Sequence, residues 1–276
     1  VVGGCYLIRG RPLHQTDFRF DPEHPRRTAR IAELLGRQGR LPVEVRPRRS
    51  PSSSLPARGV IVGEAARAAD VRFWAGLLDG ATLPAGAAEF FAAWLQRLGF
   101  HRVRDGRDAL PHRRDLFVCG SASAATRAFV KAARRAGVVV LSPVNVSSAS
   151  AAAPANARRL RRAEKALQRH GRVILAMPSA PIRDRARARR VAGQLVGLAA
   201  ALIRRAQVEH VFVEGGATAA ALTRRLGWTR LRVVAELAPG VVALQPPSGR
   251  SGLLVAKPGS YPWPARISEG VVCVGK

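Results

Sequence analysis

The sequence predicts an α/β protein of two domains, the second a three-layer α/β/α sandwich around a mainly parallel sheet, the first a smaller and partial α/β domain. Three observations carry this. From residue 115 onward, short apolar runs alternate strictly with helical segments, the pattern of right-handed crossovers that bury a parallel sheet on both faces. A polar, charged stretch, HRVRDGRDALPHRRD at 101–115, separates that region from the preceding one and reads as a linker. At 276 residues the chain is long enough to bury one large core or two smaller ones. The domains are placed at 1–105 and 110–276.

In the first region, VVGGCYLIRGRPL reads as a strand, a turn at Arg9–Gly10–Arg11 and a short continuation. DPEHP is a loop, after which Thr28 is placed to cap a helix with Ile31, Leu34 and Leu35 on its apolar face. GVIV, 59–62, is a strand that feeds a helix from about Ala68. A further helix carries Phe90, Phe91, Trp94, Leu95 and Leu98 at helical spacing, read as a core stripe.

In the second region LFVCG, VVVLSPV, RVILAMP, HVFVEGG, LRVVAEL, GVVALQ and LLVAK read as strands. SAATRAFVKAARRAG and a basic segment from about 157 are helices, the latter preceded by a low-complexity hinge, NVSSASAAAPAN. A long helix places Val191, Leu195, Leu198 and Leu202 on one face, and ATAAALTRRLG forms another.

The net charge of +28 suggests nucleic acid. Composition argues otherwise. Lysine occurs only at Lys131, Lys165, Lys257 and Lys276, so the cations are nearly all arginine, beside abundant Ala, Gly and Pro. That is the signature of a GC-rich genome, and aromatics for stacking bases are not interleaved with the basic runs. Neither nucleic acid nor membrane is expected as a partner; the apolar runs are too short to span a bilayer. Three scattered cysteines, Cys5, Cys119 and Cys273, fit a reduced, cytoplasmic protein. No signal peptide is seen, and the chain begins at Val1 without methionine, so the true N-terminus is expected to have been cut off or to be missing.

Candidate chemistry lies in three loops at the carboxyl ends of expected strands, where open α/β sheets bind ligands. These are CGSAS (119–123), EGGAT (214–218) and AKPGSYPWP (256–264). Gly120, Gly215 and Gly216 let backbone amides approach an anion, helices start just after the first two loops, and Ser121, Ser123 and Thr218 add hydroxyls. No GxxxxGK[ST] or GxGxxG motif is present; a Gly pair between strand and helix is, alone, more often a turn than a phosphate site. Lys257 is available to supply a charge.

Taken in order, CGSASAAT, VEGGATAAAL, AELAPGVV and LLVAKPGSYP resemble the nucleotide-binding domain of the four-carbon acid sugar kinases. That family shows a GSCS-like loop, a GGET or GGDT loop, a GEI-x-PGVP stretch and a KSGNFG-like loop. Ser121 and Ser123 fall on the first, Gly215 to Thr218 on the second, Glu236, Pro239 and Gly240 on the third, and Lys257 and Gly259 on the fourth. GGCYLIRGRPLHQTDFRFDPEHP, GVIVGEAARAADV and LPAGAAEFF resemble the later part of the family's substrate domain. The resemblance covers essentially the whole chain.

It implies transfer of the ATP γ-phosphoryl group, with magnesium, to a hydroxyl of a threonate, erythronate or oxo-tetronate. It also implies nucleotide contacts from Ser121, Ser123, Gly215, Gly216, Ala217, Thr218 and Gly259. Asp17, Asp21 and His24, with Glu23, are candidates for the acceptor side, in a cleft between the domains; their simpler reading is a surface turn. No catalytic base is assigned. Two departures matter: Ala217 replaces the family's acid, and the DDxTGA-like segment that opens family members is not in this sequence. A nucleotide-binding remnant without kinase activity is therefore the alternative, and a basic nucleic-acid-binding protein a third. Oligomers are left open.

Overall fold

The computed structural model describes residues 1–21, 24–36, 41–48, 55–100, 114–143, 149–180, 182, 184–247, 252–259 and 261–272. The chain forms two compact units, Val1–Arg104 and Asp105–Lys276. It is a mixed α/β structure with one large, mostly parallel sheet and eight α-helices among the described residues.

The first unit holds small pieces. Strands β1 (Leu7–Ile8) and β2 (Arg11–Pro12) form a hairpin whose turn residues Arg9 and Gly10 have φ 51° and 76°. Helix α1 spans Ile31–Leu35. Thr28 is not its N-cap: that position is Arg30, and Thr28 Oγ1 accepts from the Arg30 amide at 3.1 Å. Strands β3 (Val43–Arg46) and β4 (Val60–Gly63) pair in parallel, followed by α2 (Ala68–Gly76) and α3 (Ala88–Arg97). The expected core stripe on α3 is only half-covered. Phe91 and Leu98 are 52% and 54% exposed; the main packing partner of α3 among the described elements is α2. A hollow of about 510 Å³ runs beside Gly86, Phe90, Phe91 and Trp94.

Most of the expected linker, residues 101–113, lies outside the described residues. Its last residue, Asp115, instead opens strand β5 (Asp115–Cys119), where it is fully buried. The second unit continues through α4 (Ala124–Arg135), β6 (Val140–Leu141), α5 (Ala149–His170), β7 (Arg172–Ala176), α6 (Arg185–Arg205), β8 (His210–Glu214) and α7 (Gly216–Leu226). It ends with β9 (Arg232–Ala238), β10 (Val241–Gln245), β11 (Leu254–Lys257) and α8 (Ala265–Val272). The low-complexity hinge falls partly within α5, which starts at Ala149 and includes Pro154. Alanine's helix propensity on both sides of Pro154 outweighs the one hydrogen bond that proline removes.

Strand order is β6-β7-β5-β8-β11-β10-β9. β6, β7, β5, β8 and β11 run parallel; β10 and β9 are antiparallel. Side chains alternate between faces with the strand period of two. Leu116, Val118, Val173, Leu175, Val211 and Val213 join Leu167 of α5, Leu195 and Leu202 of α6 and Leu222 of α7 in one core. Phe117, Ile174, Phe212 and Val255 join Ala133 of α4 and Ile267 and Val271 of α8 in the other. Helices thus cover both faces of the sheet. The chain leaves β5 toward β6 on one side, and β7 crosses over β5 to reach β8 on the other. The gap between β5 and β8 is therefore a topological switch point, where open α/β sheets form a crevice at the strands' carboxyl ends. Among the described residues no helix is long and apolar enough to cross a membrane.

Candidate functional site

The two glycine loops flank that switch point. β5 ends at Cys119 in register with Glu214 of β8, and Lys257 of β11 is in register with Glu214 on its other side. Backbone bonds fasten these ends: the Gly120 amide donates to the Glu214 carbonyl (3.3 Å) and the Gly215 amide to the Lys257 carbonyl (2.9 Å).

Gly120 and Gly215 need to be glycine for different reasons. A Cβ at Gly120 would lie 1.9 Å from Thr218 Oγ1, so the Thr218 side chain of one loop packs against the bare backbone of the other. Gly215 has φ 96°, a conformation L side chains rarely adopt. Gly216 differs from both. It is the first residue of α7, exposed, and a Cβ there would meet nothing within 4 Å. No side chain caps α7. By contrast Ser123 caps α4 through the Thr126 amide, and Asp184 caps α6 through the Arg187 amide. The open end of α7 has the donors and positive end that suit an anion.

The remaining predicted residues divide. A Cβ at Gly259 would lie 3.0 Å from Ser121 Oγ and 3.8 Å from Gly215 Cα, so Ser121, Gly215 and Gly259 stand together. Ala217 is exposed in the first turn of α7. Ser123 is buried and its hydroxyl is occupied inside the protein: it donates to the Gly259 carbonyl (2.9 Å), accepts from the Thr126 amide (3.2 Å) and touches Thr126 Oγ1 (2.9 Å). The β9–β10 turn joins the cluster through Gly240 (φ 75°), where a Cβ would lie 3.2 Å from the Tyr261 ring. The Gly240 amide donates to Glu236 Oε1.

Lys257 is not free to meet a ligand. Its ammonium donates to Glu214 Oε1 (2.5 Å), the Tyr261 carbonyl (2.6 Å) and the Pro258 carbonyl (3.2 Å), and lies 4.9 Å from the Trp263 ring centroid. All three of its N–H donors are engaged. Glu214 Oε1 also accepts from Thr126 Oγ1 at 2.5 Å, and the buried Cys119 thiol hydrogen-bonds the same carboxyl. Burial pushes the Glu214 carboxyl up, against the opposing pull of Lys257, Thr126 and Cys119. Burial, with Glu214 nearby, also pushes the Cys119 thiol well above its usual range, which makes it inert as a nucleophile. Sequence reasoning placed Glu214, Thr126 and Trp263 in or beside these loops but gave them no role; a buried acid at a strand end has no local motif.

Asp17, Asp21 and His24 belong to the first unit. The His24 amide donates to Asp21 Oδ1 at 2.7 Å, an Asx-type turn; Asp17 lies in the first turn of a short 3-10 helix, Asp17–Phe20. Glu23 lies outside the described residues. Among the described residues no three His, Cys, Asp or Glu side chains gather as metal ligands.

No curated protein matches the chain significantly. Solved structures do. A Salmonella typhimurium LT2 protein, provisionally described as a tRNA synthase, aligns at TM-score 0.68 and 18% identity, covering 97% of this chain and 69% of its own. A Haemophilus influenzae protein, assigned to a family named for an uncharacterised domain, aligns at TM-score 0.58 and 16% identity, covering 99% and 71%. At such identities the likeness speaks for the fold. The family of the nucleotide-binding C-terminal domain matches residues 116–261, more than half of the chain and the whole span of the glycine loops. The chain belongs to that family, the family of the nucleotide-binding C-terminal domain.

Proposed function

We propose that the chain is an ATP-dependent kinase that phosphorylates a hydroxyl of a four-carbon sugar acid such as a threonate, erythronate or oxo-tetronate. The observation that carries the nucleotide half is the uncapped start of α7 at the β5–β8 switch point, with open space over Gly216. Phosphoryl transfer asks mainly for positioning and charge neutralisation. First-turn amides of Gly216, Ala217 and Thr218 would bind phosphate oxygens. The half-buried Ser121 hydroxyl, beside Gly259, would add a donor. Magnesium, when bound with ATP, neutralises phosphate charge; the Ser121 and Thr218 hydroxyls are the side-chain oxygens of these loops suited to it, since Ala217 offers none. The cationic surface attracts both an anionic nucleotide and a carboxylate acceptor. Asp17, Asp21 and His24 are proposed for the acceptor side from the family resemblance.

One observation favours a second reading. Ala217 stands where the family has an acid, which suits a nucleotide-binding protein without kinase activity. Incubating the chain with ATP, magnesium and a panel of threonates and erythronates, followed by phosphorus NMR, separates the two. A sugar-acid phosphate supports the kinase; ATP binding without product supports the second reading.

A further inference from the structure

We propose that the buried Lys257–Glu214 pair is a positioning latch that fixes the three loops of the site relative to one another. The proposal rests on the nucleotide reading of those loops. The connections close into a ring. Lys257 donates to Glu214, Thr126 donates to the same Glu214 oxygen, Thr126 touches Ser123, and Ser123 donates to the Gly259 carbonyl, two residues from Lys257. β8, the start of α4 and the loop after β11 each contribute a member. The Lys257 ammonium also gathers the Pro258 and Tyr261 carbonyls, which curls that loop around Gly259.

Stability does not explain the pair. Both side chains are buried, 0% and 1% exposed, and desolvation of two charges commonly outweighs their attraction, so that well-packed neutral residues serve the fold as well or better. The raised Glu214 carboxyl agrees: burial outweighs the partners. What the charges supply is direction: one carboxylate oxygen pins donors from two other loops, which apolar side chains cannot do.

The test is the double variant Glu214→Gln/Lys257→Met, with Thr126→Val as a milder second. Binding of ATP and of ADP is measured by calorimetry well below the melting temperature, and amide hydrogen exchange is followed at Gly120 and Gly215 against mid-strand Leu116 and Val213. The latch predicts a folded double variant whose nucleotide affinity falls about tenfold or more, with faster exchange at Gly120 and Gly215 and little change at Leu116 and Val213. Thr126→Val should weaken binding about fivefold, the worth of one hydrogen bond, with a melting temperature lowered by only a few degrees. Wild-type affinity and unchanged loop exchange in the double variant would overturn the proposal. Should the double variant unfold, the same result in Thr126→Val overturns it. If the wild-type chain binds neither nucleotide, the nucleotide reading fails, and the exchange pattern alone decides whether the pair fastens the loops.

Discussion

Lys257 Nζ and Glu214 Oε1 lie 2.5 Å apart at the ends of adjacent parallel strands, and neither side chain reaches solvent. The pair converts an apparent ligand charge into internal structure. The lysine of the third loop, the obvious cation for a phosphate, has its donors committed to the protein.

The pair makes stability depend on pH. Burial raises the Glu214 carboxyl above its ordinary 4.5, so the native state holds that proton longer than the unfolded chain does. The Glu214 contribution to stability therefore falls as pH rises from about 4.5 through the raised value, and is constant above it. Urea denaturation of wild type and Glu214→Gln across this window should show the wild type losing ground to the variant as pH rises. A pH-independent difference would contradict the burial of this carboxyl.

Gly120→Ala should destabilise the second unit. Its Cβ would overlap Thr218 Oγ1, and overpacking of this kind costs about 1–3 kcal/mol. Adding Thr218→Gly, which removes the obstructing atoms, should restore part of that loss in chemical denaturation. No recovery would mean that the two loops do not pack as described.

Phe212→Ala should cost about 3–5 kcal/mol. Phe212 stacks on Phe117 with ring centroids 4.4 Å apart and 7° between planes, and Trp263 meets both edge-on. The denaturation midpoint reads the loss directly; a change under about 1 kcal/mol would place Phe212 outside a packed core.

The second unit was legible in the sequence because its signals are local and repeated. Val191, Leu195, Leu198 and Leu202 mark α6 by period, and all four are buried. The strands announce themselves as short apolar runs between helices. Less local features were hidden. The β5–β8 switch point depends on which strands pair, which no single segment specifies. Glu214 reads as the polar end of a strand until its neighbours across the sheet are known. Helix α8, with Ile267 and Val271 buried four residues apart, was too short to stand out. The α3 stripe misled for the opposite reason: helical period reports a face but not how much of it is covered, and Phe91 and Leu98 stay exposed.

The central claim is that the start of α7 receives nucleotide phosphate. Titration calorimetry of ATP into the wild-type chain and Gly216→Val tests it most directly. Gly216 is helical and its Cβ position is open, so valine should leave the fold and melting temperature nearly unchanged while obstructing an anion. The account predicts saturable binding by the wild type and affinity weakened about tenfold or more in the variant. Absence of binding by the wild type, or equal affinity in the folded variant, would contradict it.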